Sequence, residues 1–361
     1  MASQYKEKLD QLLSLAMSKN ASDLHLGVGR LPTLRIDGSL IGVVQEQLLN
    51  QEMVEEFVAI LTSPEQRESL YRNKQLDFAY SFEDKARFRV NVYYQRGYLA
   101  AALRLISAKI KSIDELGLPP ILHDFARLSQ GLVLVVGPAG HGKSTTLAAI
   151  LDEINHLRTD HIITIEDPIE YLFTQDHCII SQKEVGIDVL SFGDGLKTML
   201  RQDPDVIMIG EMRDKESIAT AMTAAETGHV VFSTLHTNSA SQTIDRIIEI
   251  FPTDQQGQMI SQLAANLVGI VSLRLIPKIN GGRVAAFEIM FANAAVRNLI
   301  RERKTYQIDL VIETSAQQGM ITLNRTLANL VNKKLITLED AELYSPNPME
   351  LKILMERDKR N

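Results

Sequence analysis

Short runs of mostly apolar residues recur along the second part of the chain, and stretches with helical spacing lie between them. The runs cover residues 132–136, 161–165, 206–209 and 230–234. Such runs are typical of parallel strands buried on both faces, and strands that alternate with helices predict a parallel sheet covered by helices. The residues from about 292 to the end have mostly helical spacing.

Residues 1–106 predict a separate unit of mixed helices and strands. Apolar positions within residues 9–17 follow helical spacing, and Ser63 begins a capping-box pattern that predicts a second helix. The pair Asp37 and Gly38 predicts a hairpin turn. Strand-like runs follow at residues 76–82, 86–95 and 98–106.

Residues 107–120 interrupt both patterns and predict a linker between two domains. Gly117 and the pair Pro119-Pro120 are incompatible with the interior of a helix or a central strand. The second domain would then cover residues 121–361. A length of 361 residues fits two domains.

Composition narrows the class of protein. Apolar residues make up 45% and charged residues 23%, which excludes disorder as the main state. A single cysteine, Cys178, excludes an internal disulfide and a multi-cysteine zinc site. We expect a cytoplasmic protein. The net charge of -7 disfavours nucleic acid as a partner.

Residues 137–144 match the pattern G-x-x-x-x-G-K-[ST] between a predicted strand and a predicted helix. Glycines let backbone N–H groups turn inward around an anion, and the helix directs its positive end at the phosphates. The lysine and the hydroxyl then bind the phosphates and Mg²⁺. The predicted ATP-binding residues are Gly137, Pro138, Ala139, Gly140, His141, Gly142, Lys143, Ser144 and Thr145.

His141 occupies a variable position of this pattern. One interpretation is a titratable group near the phosphates. The interpretation we favour at this point is a tolerated side chain that points to solvent, because backbone groups do the binding.

Carboxylates follow two of the predicted strands at the edge where ligands bind in such sheets. Glu211 follows the third run and is the candidate catalytic base, although Gly210 stands where a metal-binding Asp is usual. Glu166, Asp167 and Glu170 follow the second run. We expect Glu166 and Glu170 to act on the water, and Asp167 with Ser144 to hold Mg²⁺. Each of these carboxylates has a purely structural alternative.

Two histidines flank the run at residues 230–234. His236 lies at the catalytic edge, where it would sense the γ-phosphate or simply precede a helix. His229 begins the same strand about 23 Å away, since each strand residue rises about 3.3 Å. It would therefore act at a subunit contact or pack as a structural histidine.

Residues 85–104 carry five basic residues and no acidic one. Arg87 and Arg89 alternate with Phe88 and Val90, so both arginines should share one strand face. Arg87, Arg89 and Arg104 are candidates to reach the phosphate of a neighbouring subunit. Nucleic-acid binding and a solvated strand face are the alternatives.

Together these segments resemble the secretion ATPases, and within them the PilT family of type IV pilus retraction ATPases. The resemblance covers nearly the whole chain. It rests on the phosphate loop and on ASDLHL (21–26), RFRVN (87–91), ITIEDPIEY (163–171), IGEMRD (209–214), a histidine box (223–240) and AVRNLIRE (295–302).

The resemblance implies a homohexamer with a PAS-like N-terminal domain and a RecA-like ATPase domain. It implies that ATP with Mg²⁺ is hydrolysed to power pilus retraction and twitching motility. A cytoplasmic location peripheral to the inner membrane is implied as well. The implied partners are the pilus platform protein of that membrane and a paralogous retraction ATPase.

In this family AVRNLIRE is associated with retraction rather than with hydrolysis. Helical spacing predicts an apolar face and a charged face for the segment. An ordinary amphipathic helix is the alternative. The residues assigned to the motif are Ala295, Arg297, Leu299, Ile300, Arg301 and Glu302.

Other functions remain open. Residues 183–188 resemble the accessory retraction ATPase PilU, and Ala139 and His141 depart from the usual loop GPTGSGKS. The single cysteine and the short first domain disfavour an assembly ATPase with a four-cysteine zinc element. A nucleic-acid translocase and a non-catalytic ATP-gated adaptor are the remaining alternatives.

Overall fold

The structure is a computed structural model that describes residues 2–19, 21–36, 38–83, 86–106 and 110–358. Asp37 of the expected hairpin, Lys85 of the basic stretch and residues 107–109 of the expected linker lie outside the described residues. Two compact units are present. The first contains Met1–Lys109 with Pro168–Leu172, and the second contains the rest of the chain.

Helices α1 to α3 and strands β1 to β6 make up the first unit. Within the described residues the strands form one antiparallel sheet in the order β3-β2-β1-β6-β5-β4. The elements are α1 (Ala2–Ser18), β1 (Asp23–Gly27), β2 (Thr33–Ile36), β3 (Ser39–Gly42), α2 (Gln51–Leu61), α3 (Pro64–Asn73), β4 (Gln75–Phe82), β5 (Ala86–Gln95) and β6 (Tyr98–Ile106).

The sequence signals account for this unit well. Leu9, Leu12 and Leu13 are buried on one face of α1, as the helical spacing predicts. At the start of α3, Ser63 and Gln66 form the expected capping box, because each side chain binds the other residue's backbone N–H.

The second unit is built on a sheet with the order β13-β12-β7-β11-β10-β8-β9 among the described residues. Only the β12–β13 pair in this order is antiparallel. The elements up to β13 are β7 (Gly131–Val136), α4 (Lys143–Leu157), β8 (His161–Glu166), β9 (Ile179–Glu184), α5 (Phe192–Met199), β10 (Val206–Ile209), α6 (Lys215–Glu226), β11 (Val230–Leu235), α7 (Ala240–Glu249), α8 (Thr253–Asn266), β12 (Leu267–Pro277) and β13 (Arg283–Phe291).

Every residue of β7, β10 and β11 is buried, because helices pack on both faces of the sheet. This confirms the predicted mixed α/β fold with a helix-covered parallel sheet. The strands β7, β8, β10 and β11 run in one direction, so their C-terminal ends meet at one edge. The pairing of β12 with β7 ends where Ser272 of β12 lies beside Val136, the last residue of β7. Strand β12 therefore extends past the end of β7.

The end of the chain is helical, as predicted. Its helices are α9 (Ala294–Arg301), α10 (Ile308–Thr314), α11 (Leu323–Asn332), α12 (Leu338–Tyr344) and α13 (Pro348–Asp358). Leu327, Leu351 and Met355 of this region pack on Ile276 and Ala286 of β12 and β13. No helix in the described part of the chain is long and apolar enough to cross a membrane.

Candidate nucleotide-binding site

The loop between β7 and α4 has the backbone that a phosphate cradle requires. Gly137 has a φ of 146°, and a Cβ there would lie 2.5 Å from the carbonyl oxygen of Leu273. Gly142 caps α4 with a φ of 89°. Any other residue at either position would be strained, so the backbone itself selects glycine at both.

Lys143 closes over this loop. Its Nζ donates hydrogen bonds to the carbonyl oxygens of Gly137 (2.9 Å) and Pro138 (3.0 Å), and the residue is only 8% exposed. The same Nζ lies 3.4 Å from Nδ1 of His236. Ser144, half-buried, follows in the first turn of α4. The ammonium group and the hydroxyl therefore lie beside the N-terminal end of that helix, where anions bind.

His141 does not point to solvent, so the favoured interpretation is wrong. Its half-buried ring accepts a hydrogen bond at Nδ1 from the backbone N–H of Leu275, 3.0 Å away. Among the residues that the structure describes, the pairing of β12 with β7 ends at Val136, so the edge of β12 beyond this point is available to the loop. Burial, followed by Arg274, Arg283 and Lys143, lowers the pKa of His141 and so favours the neutral ring that this bond needs.

Replacement of His141 by alanine is expected to weaken ATP binding by about three- to tenfold, because a hydrogen bond of this kind contributes about 1 kcal/mol to the loop conformation. Titration with a fluorescent ATP analogue measures the effect. His156→Ala is the matched control, since that histidine is exposed in the last turn of α4, the helix that follows the loop. Equal affinities for His141→Ala and wild type would refute the anchoring role.

Glu211 and His236 meet at the edge of the sheet, as predicted. Oε1 of Glu211 lies 3.4 Å from Nε2 of His236, and Oε2 accepts a 2.8 Å hydrogen bond from Nε of Arg213. The contacts therefore run from Lys143 through His236 and Glu211 to Arg213. This places a carboxylate close to the ammonium group that faces the phosphate loop.

Gly210, at the place of the usual metal-binding Asp, is explained by crowding. Its backbone N–H donates to the carbonyl oxygen of Ile165, and a Cβ would lie 3.3 Å from that oxygen. A side chain here would push against the end of β8.

The three carboxylates of the acidic segment differ in their surroundings. Glu166 is 6% exposed, and its Oε1 accepts hydrogen bonds from Thr164 (2.8 Å) and Gln182 (3.3 Å). Asp167 and Glu170 are exposed, and Glu170 lies in the segment grouped with the first unit. Glu166 is thus fixed by the sheet, whereas Asp167 presents its carboxylate to solvent.

His229 lies at the opposite end of β11 from His236, as the strand length predicts. Its Nδ1 lies 3.0 Å from the carbonyl oxygen of Ala224 and 3.2 Å from Oγ1 of Thr227. These partners are at the end of α6. Within one subunit His229 therefore caps the C-terminal end of α6. Its role at a subunit contact stays a prediction.

The arginines of the first unit share a strand face, as their alternation predicts. Phe88 and Val90 are fully buried, whereas Arg89 is exposed. Arg89 is aligned with Arg104 on β6, and Arg104 donates a 2.9 Å hydrogen bond from Nε to Asp23 on β1. Arg104 therefore already has a carboxylate partner within its own sheet.

The segment AVRNLIRE forms α9, but its predicted charged face is not one surface. Arg297 turns inward and donates to the carbonyl oxygens of Ala292 (2.7 Å), Ala264 (3.1 Å) and Leu267 (3.3 Å). It thereby satisfies backbone groups at the end of α8. The grouping of Arg297 with solvent-facing charges is wrong. Ile300 is buried, Leu299 is half-buried, and Ala295, Arg301 and Glu302 are exposed.

Arg297→Ala is expected to lower the free energy of unfolding by about 2–3 kcal/mol, because it leaves several carbonyl groups without a donor. Arg301→Ala, four residues further on the exposed face, should change it by less than about 0.5 kcal/mol. Urea denaturation of both variants measures the difference. Equal stabilities would mean that Arg297 is not a structural cap.

Sequence reasoning missed Arg274 and Glu288. Each is a charged residue in the interior of a mostly apolar strand, and this pattern is visible in the sequence. Glu288 is 8% exposed and accepts a 2.8 Å hydrogen bond from the backbone N–H of Ala240. Burial outweighs this bond and raises the pKa of Glu288 to about 7.

The stability of the protein should therefore depend on pH through Glu288. Its folded-state pKa is above the ordinary value of 4.5, so the folded state keeps a proton that the unfolded state releases. The free energy of unfolding then falls as pH rises from about 4.5 to 7. Glu288→Gln should remove on the order of 3 kcal/mol of this decrease. Denaturation of wild type and Glu288→Gln at pH 5 and 7.5 measures this effect. If the free energy of unfolding changed between these pH values by the same amount in both proteins, the prediction would be refuted.

A parallel sheet with a phosphate loop after one strand and a carboxylate after another defines a P-loop nucleotide-hydrolysing domain. The family model described as Type II/IV secretion system protein matches residues 2–282. The chain belongs to this family, and within it to the PilT family of ATPases.

The individual relatives agree with this assignment. The chain is 43% identical over 333 residues to the type IV pilus retraction ATPase PilT of Pseudomonas aeruginosa. This alignment covers 92% of this chain and 96% of the relative. It is 39% identical over 349 residues to the type IV pilus ATPase PilU of the same organism. That alignment covers 96% of this chain and 91% of PilU. A crystal structure of the pilus retraction motor PilT with bound ADP superposes on this chain with a TM-score of 0.89 and 47% sequence identity. The superposition covers 95% of this chain and 98% of the PilT chain.

Proposed function

We propose that this chain is an ATPase motor that powers retraction of a type IV pilus and thereby twitching motility. The observation that carries the proposal is the contact series Lys143, His236 and Glu211 at the mouth of the phosphate loop. The chain's similarity along 96% of a retraction ATPase supports the same conclusion.

The hydrogen-bond donors and positive charges of the site suit the phosphates of ATP. Lys143 and the N-terminal end of α4 would bind the β- and γ-phosphates, and the exposed His236 would contact the γ-phosphate. Glu211 would accept the proton of the attacking water, since its carboxylate is within reach of the same cluster. Glu166 and Glu170 would help to orient that water.

Mg²⁺ fits the site as an ion shared with the substrate. The described residues hold no group of three His, Cys, Asp or Glu side chains arranged for a metal. Mg²⁺ typically uses one or two protein oxygens together with phosphate oxygens and water. Ser144 and Asp167 would supply those oxygens, and the ion would neutralise charge on the phosphates.

The working assembly is proposed to be a homohexamer in which a neighbouring subunit supplies an arginine. Arg89 and Arg104 are both exposed, and Arg89 is the stronger candidate because Arg104 is already paired with Asp23. Arg87 shares the face of Arg89 and is the further candidate. The PAS-like assignment of the first unit belongs to the same proposal.

The partners would be the inner-membrane platform protein of the pilus and a paralogous retraction ATPase, and the motor would act at the cytoplasmic side of that membrane. The exposed residues Ala295, Arg301 and Glu302 of α9 are the part of the retraction motif available for such contacts. Leu299 and Ile300 support that surface from within.

A second candidate is the accessory retraction ATPase, favoured by 39% identity to PilU over nearly the whole chain. Deletion in the native host, with surface pili counted by electron microscopy, distinguishes the candidates. A principal retraction motor gives excess pili and no twitching. Pili that still retract, but weakly, mean an accessory motor. Bald cells mean an assembly ATPase and would refute both.

A further inference from the structure

Side chains of β12 and β13, the two strands at one end of the sheet, form hydrogen bonds to the loop that carries His236. On β12, Oγ of Ser272 donates to the carbonyl oxygen of Asn238 at 3.0 Å. Arg274 donates from Nη2 to the same oxygen (3.1 Å) and to Oδ1 of Asn238 (2.9 Å). On β13, Glu288 accepts from the backbone N–H of Ala240. Three side chains thus grip residues 238–240.

These side chains share one face of the sheet for a simple reason of register. Ser272 is the partner of Glu288 across the antiparallel pair, and Arg274 is two residues further along β12. Residues at this spacing point to the same side of a strand. The grip on the loop is therefore built into the pairing of β12 with β13.

The same stretch of β12 also contacts the phosphate loop. Nη1 of Arg274 donates to the carbonyl oxygen of Leu273 at 2.9 Å, and this is the oxygen that Gly137 packs against. The next residue, Leu275, donates its backbone N–H to His141. Residues 273–275 therefore contact both loops of the site: Leu273 and Leu275 contact the phosphate loop, and Arg274 bonds Asn238 in the loop of His236.

We propose that Arg274 is a positioning residue for ATP turnover, which holds the loop of His236 against the phosphate loop. It acts through Asn238, two residues from His236, and keeps His236 between Lys143 and Glu211. An arginine suits this task because its planar fork donates several hydrogen bonds in fixed directions. The proposal rests on the proposed ATPase function.

Arg274→Ala is expected to lower kcat by about tenfold or more, as misplaced catalytic groups commonly do. The affinity for a fluorescent ATP analogue should stay within about threefold, because the phosphate cradle itself is unchanged. Arg357→Ala is the matched control, since that arginine is exposed on α13 far along the chain. Its kcat should equal that of wild type.

The decisive comparison repeats Arg274→Ala in a His236→Ala background. If Arg274 acts through His236, its removal there should lower kcat by less than about twofold. A tenfold loss in both backgrounds would overturn the proposal, because it would mean a general structural role. Asn238→Ala in both backgrounds provides the same test if Arg274→Ala does not fold. A wild-type chain without ATP turnover would instead refute the proposed function.

Discussion

Replacement of Lys143 by alanine is expected to lower the affinity for ATP by about thirtyfold or more, the largest effect on ATP binding of any single change at this site. The ammonium group is almost fully buried and lies between the loop carbonyl oxygens and His236. Removing a buried charged partner of an anion costs about 2–5 kcal/mol. Titration calorimetry with Mg²⁺ and a non-hydrolysable ATP analogue measures it.

The control for this variant is Lys352→Ala, because that lysine is exposed on α13. Thermal unfolding in the absence of nucleotide shows whether Lys143→Ala retains its fold. A folded Lys143→Ala protein that binds ATP within threefold of wild type would contradict the assignment of the phosphate loop.

Glu211→Gln is expected to reduce kcat by about 10²- to 10⁴-fold, the range over which general bases contribute. Glutamine keeps the shape and an acceptor oxygen but does not take up the proton of the attacking water. ATP affinity should be retained or increase, since a negative charge near the phosphates is removed. Phosphate release under saturating ATP measures kcat.

Glu356→Gln, at an exposed position of α13, is the control for the loss of one carboxylate. A Glu211→Gln protein that turns over ATP at the wild-type rate would mean that another residue is the base. Glu170 and Glu166 would then be the next carboxylates to replace.

Much of the fold was predictable because its central strands are apolar on both faces. The runs at β7, β8, β10 and β11 were identified from this property alone. Strand β9 was not, since four residues of its sequence IISQKE are polar, as suits a strand at the edge of the sheet. The strand order depends on packing between distant segments, which a one-dimensional pattern does not contain.

The site divides in the same way. Local spacing predicted the phosphate loop, and strand ends predicted Glu211 and His236. His141 and Arg297 were misinterpreted because their partners are backbone groups far away in the chain, such as Leu275, 134 residues from His141. Arg274 and Glu288 were missed because their importance depends on the register between β12 and β13.

The most direct test of the central claim is to watch single, fluorescently labelled pili in cells whose only copy of this chain is wild type or Glu211→Gln. The account predicts that pili extend in both strains, retract with the wild-type chain, and fail to retract with Glu211→Gln. Retraction at the wild-type rate with Glu211→Gln would contradict the claim that ATP hydrolysis at this site drives retraction.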